Sequence, residues 1–477
     1  MVYLREMIYP AQTSFIPLQV ALARFLESQG WLGIFKNYPY WYLGTTPFRY
    51  LTGPILPSLL VGLHQILSSL NFFTIFLLIL AVCWLLGTVG VYLLVLVFKP
   101  DNRKMAILAA LFFFFGPIVP FLFRFSDGLS LIAFSFLPYV FLLYTKFLIN
   151  PSRKQAAYCV FLISLEMLIS SLIVAPMFLG MAAIFLATQG WKKAEIKIKQ
   201  TLGLWALAFL LVSIWYTPGY WWRILVAPSF AGKPLFKVVY QLAQLLPISL
   251  AVILAIVSER LIKSKDKLLK FTFYWLFIFG FLTFVRFISD PDFWLDWSAY
   301  GLEIQFGLAI ALALVINQVL NSKYQKYFIF TFYFLLFTFI FNKYVLGTLQ
   351  KDITQSVEYQ IGKELTNVVK PGEKVFLSGT TVFWLNAFFD IFQVRGGNDR
   401  VSVNQQWRQA AWELREGERG EKSIEWLKKL KITYIVVHTQ ESKEFYHDFV
   451  YPEKFEQLGG LKKIYEQNGD RIYKLED

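Results

Sequence analysis

The stretch Asn37-Tyr-Pro-Tyr-Trp-Tyr-Leu-Gly-Thr-Thr-Pro-Phe-Arg-Tyr-Leu-Thr-Gly-Pro-Ile-Leu-Pro57 decides how this chain is read. It holds four Pro, two Gly, four Tyr, one Trp and a single charge, Arg49, in twenty-one residues. Such a run is too apolar for an ordinary surface loop and too often interrupted for a helix. Aromatic side chains with one apolar and one polar end settle where water meets lipid headgroups. The stretch is therefore expected to press against a membrane surface and to face a cavity.

Composition fits that setting. Of 477 residues, 56% are hydrophobic, 19% aromatic and only 16% charged, against roughly a quarter charged in a soluble domain. This predicts an α-helical polytopic membrane protein, with the lipid bilayer as its first partner. The net charge of +14 is read as topological, and no nucleic-acid partner is expected. Cys83 and Cys159 lie in apolar runs and give no disulfide framework. His64, His438 and His447 are too far apart in sequence to suggest a metal-ligand motif.

About ten transmembrane helices are expected: 72–98, 104–122, 129–149, a pair packed into 156–171 and 172–189, then 201–218, 238–258, 270–288, 301–320 and 327–346. Pro176 interrupts the short pair, which reads as two crossings, a tilted hairpin or a re-entrant element. Residues 16–28 read as a short amphipathic helix. Residues 54–70, with Pro54, Pro57, His64 and Gln65, read as a non-crossing helix at the outer surface. Loops 99–104, 146–155, 191–199, 259–270 and 321–327 carry 17 Lys and Arg; loops 123–128, 219–237 and 286–300 carry 5. The first set is therefore expected in the cytoplasm of a cell (plasma) membrane protein, with both ends of the chain outside. No basic and apolar leader precedes the first loop, so a first transmembrane helix is expected upstream of Met1; N-tail translocation driven by 72–98 is the other account.

Three regions follow: 1–71 as an outer first loop with amphipathic and surface helices, 72–346 as the transmembrane bundle, and 347–477 as an extracytoplasmic α/β domain. The last region holds 19 Lys and Arg and 20 Asp and Glu, and its long apolar runs stop. Strands are expected at 374–378 and 434–438, with a hairpin of 462–466 and 471–474 joined by Gln467-Asn-Gly-Asp470. Helices are expected at 405–416 and 421–431.

Charges at or near membrane depth are the best chemical lead. They are Arg124, Asp127, Arg286, Asp290, Asp292, Asp296 and Glu303, together with Glu166 inside a span. Glu166 reads as a core acid hydrogen-bonded to Ser164, Ser170 or Ser171, or as an intramembrane relay. Ser126 and Asp127 read as a helix cap or as part of a catalytic or metal-binding group. Asp290-Pro-Asp292 is either a turn or a pair of oxygen ligands for a divalent cation. Tyr220-Trp-Trp-Arg223 reads as an interface anchor.

Tyr38-Pro-Tyr-Trp-Tyr-Leu-Gly-Thr-Thr-Pro-Phe48 resembles the first outer loop of GT-C class polyprenyl-phosphate-sugar glycosyltransferases. Within that class it is most similar to the membrane proteins labelled 6-pyruvoyl-tetrahydropterin-synthase-related, a label that implies no pterin chemistry here. Ser213-Ile-Trp-Tyr-Thr-Pro218, Leu302-Glu-Ile-Gln-Phe306, and the segment from Gln393-Val-Arg-Gly-Gly-Asn-Asp399 to Tyr434-Ile-Val-Val-His438 resemble the same proteins in order. The resemblance implies transfer of a sugar from a polyprenyl-linked donor to a cell-envelope acceptor, at an outer-face site under the first loop. It also implies an acid acting as base and, in some members, a divalent cation such as magnesium or manganese. Carried onto this sequence, the catalytic acids would be Glu6 and Asp127, and Asp290 and Asp292 would hold the metal. Substrate would meet Tyr40, Trp41, Tyr42, Arg49, Arg124, Arg286, Glu303 and Gln305. The chain departs from the family in having no Asp in residues 1–53. That keeps two other readings open: a non-catalytic protein of the same fold that binds envelope glycans or lipid-linked precursors, and a transporter or flippase.

Overall fold

The computed structural model describes residues 8–10, 15–45, 53–125, 128–189, 194–226, 233–243, 245–258, 264–289, 300–318, 323–347, 349–397, 402, 404, 406–456 and 458–476. Strand β1 (Ile8–Pro10) precedes α1 (Phe15–Gln29) and α2 (Ile55–Ile66). Next come α3 (Phe72–Phe98), α4 (Arg103–Phe114), α5 (Ile118–Phe125), α6 (Gly128–Ile149), α7 (Arg153–Ile169), α8 (Val174–Gln189) and α9 (Ala194–Val212). Helices α10 (Pro218–Leu225), α11 (Pro234–Ala243), α12 (Leu245–Ser258), α13 (Lys267–Ser289), α14 (Gly301–Gln318) and α15 (Lys323–Phe341) follow. The last part runs β2 (Leu349–Lys351), α16 (Val357–Val368), β3 (Lys374–Phe376), α17 (Thr381–Phe388), β4 (Phe392–Gln393), α18 (Trp407–Arg415), α19 (Gly420–Lys429), β5 (Tyr434–His438), β6 (Leu461–Gln467) and β7 (Asp470–Leu475).

The chain forms two compact units. One, made of 77–215 and 238–348, is helical. Among the described residues, eight stretches are long and apolar enough to cross a bilayer: Phe72–Phe98, Arg103–Pro120, Leu129–Ile149, Ser171–Gln189, Pro234–Ser258, Lys267–Ile288, Gly301–Gln318 and Tyr324–Leu346. The protein is thus a multi-pass membrane protein. The other two expected spans correspond to α7 and α9. Helix α7 has 17 residues, and the first two turns of α9 carry Glu195, Lys197 and Lys199, so neither joins the eight by length and composition. Two ties join basic loops to one another. Lys99 pairs with Asp266 at 2.7 Å, and Lys197 donates to the Leu148 carbonyl. Loops 99–104 and 259–270 therefore share one end of the bundle, as their common charge predicts.

The second unit gathers 1–76, 216–237 and 349–477. Its five-stranded sheet has the order β4-β3-β5-β7-β6. Strands β4, β3 and β5 are parallel, and β7 and β6 add antiparallel. All five residues of β5 are buried, as a central strand of Tyr-Ile-Val-Val-His requires. The expected hairpin forms, with Asn468 at φ 51° and Gly469 at φ 81° in its turn. Ile361, Leu365, Val375, Val382, Leu385, Val436 and Ile472 make the core.

Two expectations about the first loop change. Helix α1 is not amphipathic: Ile16, Leu18, Val20, Ala21, Leu22, Ala23, Phe25 and Leu26 are all buried. Apolar residues at those positions ring the helix, and a helix apolar all round is a core helix. It packs on α2 and on α17, where Arg24 donates to the Asn386 carbonyl at 3.0 Å. The aromatic stretch likewise folds into the domain. Tyr38 and Thr45 close a small bridge, Gln393 N–H donates to the Tyr40 carbonyl at 2.9 Å, and Leu43 N–H donates to the Gln393 carbonyl at 3.2 Å. The loop thereby covers the edge strand β4. Trp41, 1% exposed, lies over Gly396 and Gly397. A Cβ at either glycine would come within 2.4 Å of the indole, and their φ angles of +120° and +56° also favour glycine. Helix α2, 12 residues long, spans only about 18 Å and is too short to cross the bilayer.

Candidate functional site

The helical unit holds a broken helix with an apolar cavity beside it. Helix α4 stops at Phe114, and Phe115-Gly-Pro117 separates it from α5. Pro117 has no N–H and disfavours helical backbone at Gly116, so main-chain groups around the break lose their helical partners. Gln305, on α14 and 2% exposed, supplies replacements. Its Nε2 donates to the Phe113 carbonyl at 3.2 Å, and its Oε1 accepts from Ile118 N–H at 2.9 Å. Glu303 is 8% exposed, and its main-chain carbonyl accepts from Trp275 Nε1 at 2.6 Å.

A cavity of about 430 Å³ adjoins the break, walled by Leu80, Trp84, Phe114, Val119, Phe123 and Phe337 among others. Every lining side chain is apolar. Leu85 on its rim is 54% exposed, so the cavity opens sideways, where a bundle in a membrane meets lipid. Trp84 fixes one wall by stacking on Phe113 at 4.4 Å and donating Nε1–H to the Phe114 carbonyl at 3.3 Å. Arg124 lies on α5, one residue beyond Phe123. Arg286 lies in the last turn of α13. Glu6, Arg49, Asp127, Asp290 and Asp292 fall outside the described residues, as does Asp296. Among the described residues, no three His, Cys, Asp or Glu side chains converge as metal ligands.

Glu166 departs from the expected hydrogen-bonded acid. It is fully buried, and neither carboxyl oxygen has a hydrogen-bond partner among the described residues. The Ser164 hydroxyl donates instead to the carbonyls of Val160 and Ala208, and the Ser170 hydroxyl accepts from Leu172 N–H. The Ser164 proton thus goes to main-chain carbonyls and not to the Glu166 carboxyl.

In the sheet unit, Trp41 and Tyr42 are enclosed at 1% and 4% exposure, so they present packing surfaces within the domain. Tyr42 donates to the Gly397 carbonyl at 3.2 Å and its ring meets Trp407 at 5.0 Å. Tyr40 stays half-buried against Phe392.

A cluster that sequence reasoning missed lies where β3 turns into α17, at the carboxyl ends of the parallel strands. Open α/β sheets commonly bind ligands there. Here the chain's own acids fill the place of an anion. Asp448 Oδ2 accepts from Ser378 Oγ at 2.5 Å, Gly379 N–H at 3.2 Å, Arg395 at 3.3 Å and Arg415 at 3.0 Å. Glu444 Oε1 accepts from Thr380 N–H at 2.6 Å. Burial opposes ionisation of Asp448, but the Ser378 hydroxyl and the two guanidiniums outweigh it and hold its carboxyl below the usual range. Burial, then the like charge of Arg415, lowers the Arg395 pKa. Ser378 and Asp448 are 70 residues apart, so no spacing marks the cluster; the only local signal is the Ser378-Gly-Thr-Thr381 step from strand to helix. Behind it, His438 Nδ1 meets Asp470 Oδ1 at 2.7 Å and Nε2 meets Thr381 Oγ1 at 3.4 Å. The order imitates a nucleophilic triad. However, His438 and Thr381 are each 1% exposed and Thr381 Oγ1 donates to the Ser378 carbonyl, so the network serves packing.

No protein-family model matches the chain, and no curated protein matches it. Solved structures do. The arabinofuranosyltransferase AftD from Mycobacteria aligns over 98% of this chain with TM-score 0.55 and 13% identity. This chain spans only 38% of the AftD chain. ArnT from Cupriavidus metallidurans, bound to undecaprenyl phosphate, aligns over 99% of this chain and 94% of its own, with TM-score 0.51 and 11% identity. The Archaeoglobus fulgidus oligosaccharyltransferase tethered to an acceptor peptide aligns over 99% and 71%, with TM-score 0.50 and 14% identity. At such identities the likeness concerns architecture: this chain carries the GT-C fold, a bundle of membrane helices with a small C-terminal sheet domain.

Proposed function

We propose that the protein is a glycosyltransferase of the cell membrane that moves a sugar from a polyprenyl-phosphate donor to a cell-envelope acceptor on the outer face. The observation that carries this reading is the wholly apolar, side-opening cavity at the α4–α5 break, within a fold shared with glycosyltransferases. An isoprenoid tail has no polar atom to satisfy, so an apolar wall of this kind suits it. Arg124 on α5, with Arg286, would hold the phosphate. The undecaprenyl phosphate of ArnT supports the donor class. The 17-to-5 Lys and Arg bias supports a C-terminal domain outside the cytoplasm, and the motif order supports kinship with the 6-pyruvoyl-tetrahydropterin-synthase-related membrane proteins.

In this reading the acceptor hydroxyl attacks the anomeric carbon and the carbon–oxygen bond to phosphate breaks. The electron pair leaves on the polyprenyl phosphate, whose charge an arginine balances. Asp127 or Glu6 takes the hydroxyl proton. Asp290 and Asp292 are the carboxylates that would hold a divalent cation, which would offset the negative charge developing on the leaving phosphate. Gln305 shapes the donor wall by holding the helix break.

The test is transfer from a panel of labelled polyprenyl-phosphate sugars by protein in lipid nanodiscs. Wild type is expected to transfer, and Asp127→Asn or Glu6→Gln to lose about a hundredfold or more. An inert wild type across the panel sinks the reading; full activity in both variants removes the assignment of the base. A second reading, translocation of a lipid-linked glycan, is favoured by the unpartnered Glu166. It predicts that Glu166→Gln abolishes movement of labelled lipid across vesicles.

A further inference from the structure

The sheet unit carries a second concavity that the transfer chemistry does not use. It is a groove of about 330 Å³ between α16, with the turn before it, and strand β6. Its shape follows from two periodicities. Tyr359, Gln360, Lys363 and Glu364 stand on one face of α16, while Ile361 and Leu365 enter the core. Tyr465 and Gln467, two residues apart, share one face of β6. The tyrosines are held in place. Tyr359 meets Phe388 and Phe389 with centroids at 5.4 and 5.3 Å, and Tyr465 donates its hydroxyl to Gln467 Oε1 at 2.8 Å. That bond engages the Gln467 oxygen and leaves its Nε2 to donate. The side chains of Gln355, Gln360 and Lys363 make no hydrogen bond within the described residues.

The groove therefore offers two phenol rings, three carboxamides, one lysine and one glutamate in a space at the lower end of small-ligand sites. A lipid tail would leave the amides unpaired, which is costly on desolvation. A phosphate would gain one cation and face one carboxylate. A sugar ring fits every group: its C–H face lies on an aromatic ring, and each hydroxyl both donates and accepts, as a carboxamide does. We infer that this groove is a saccharide-binding subsite, with room for one or two sugar rings of a glycan chain.

The proposal stands without the transfer reading, because it is tested by equilibrium binding with no donor present. Full-length protein in lipid nanodiscs, free of sugar-headed detergent, is titrated into fluorescein-labelled tetrasaccharides of glucose, mannose, galactose, arabinose and N-acetylglucosamine. Saturable binding of at least one is expected. The triple variant Gln355→Ala, Gln360→Ala, Lys363→Ala removes only side chains without internal partners. It is expected to keep the thermal transition and bind at least tenfold more weakly, whereas Lys428→Ala on α19 binds as wild type. Absence of saturable binding to all five, or equal binding by the triple variant, overturns the subsite. A protein that transfers sugar but fails this titration loses only the subsite; one that passes but transfers nothing loses only the transferase reading.

Discussion

The carboxamide of Gln305 and the bare α-carbon of Gly116 occupy one space: a Cβ on residue 116 would stand 1.9 Å from Gln305 Cδ. Gly116→Ala must therefore displace the amide that bridges Phe113 and Ile118. A loss of about 1–3 kcal/mol is expected from overpacking, read as a lowered thermal transition of the protein in nanodiscs. Gln305→Ala should cost about as much by leaving the Phe113 carbonyl and Ile118 N–H unpaired. The double variant should lose clearly less than the two single losses added together, because the clash vanishes with the side chain. Simple additivity would show that the fit does not matter.

Trp41 should anchor the first loop to the sheet domain. Trp41→Ala removes a side chain that is 1% exposed, at a cost of about 3–5 kcal/mol. The readout is protease cleavage between residues 30 and 45, expected in the variant and absent in wild type. Gly397→Ala, whose Cβ would stand 2.3 Å from the indole, should open the same sites. Persistent protection in both would mean that the loop is held elsewhere.

Acid should loosen the sheet domain through Asp448. Its folded-state carboxyl titrates below the usual range, so the stabilisation is complete above the unfolded value of about 3.9 and is lost as pH falls through the depressed folded value. Near-ultraviolet circular dichroism between pH 6 and 2 should show a transition in wild type. Asp448→Asn should be less stable at pH 6 by about 1–3 kcal/mol and flatter with pH. An Asn variant with an unchanged pH profile would assign the acid transition to other groups.

Filling the cavity should block the lipid donor. Ala81 lines it and is itself exposed, so Ala81→Trp fills the space without disturbing buried neighbours. Transfer from a polyprenyl-phosphate sugar should fall at least tenfold in kcat/KM, while Ala81→Ser stays near wild type. Equal activity of the Trp variant would place the lipid elsewhere.

Local chemistry made part of this legible. Unbroken apolar runs located the membrane helices, Asn468-Gly469 located the hairpin, and the apolar segment 434–438 located the central strand. The environment of the aromatic stretch was not legible, because Trp41 meets Gly396 and Gly397 across some 350 residues and periodicity carries no information about such a partner. The burial of helix α1 is legible locally, because its apolar residues ring the helix; only its partner α17 lies beyond a local window. The resemblance points to Gln305 as a substrate contact, whereas its bonds go to a helix break. Helices α16 and α17 are short, at 12 and 8 residues, so neither carries enough turns for a clear helical period. The Asp448 cluster joins four segments and has no linear signature.

Strand β1 pairs with β2, Ile8 facing Lys351. A ribosome must deliver more than three hundred residues, including every described membrane span, between these partners. Strand β1 therefore stays unpaired until β2 has been made, and loop closure across such a distance is slow. A ribosome stalled before β2 would leave β1 without its partner strand and open to quality-control proteases.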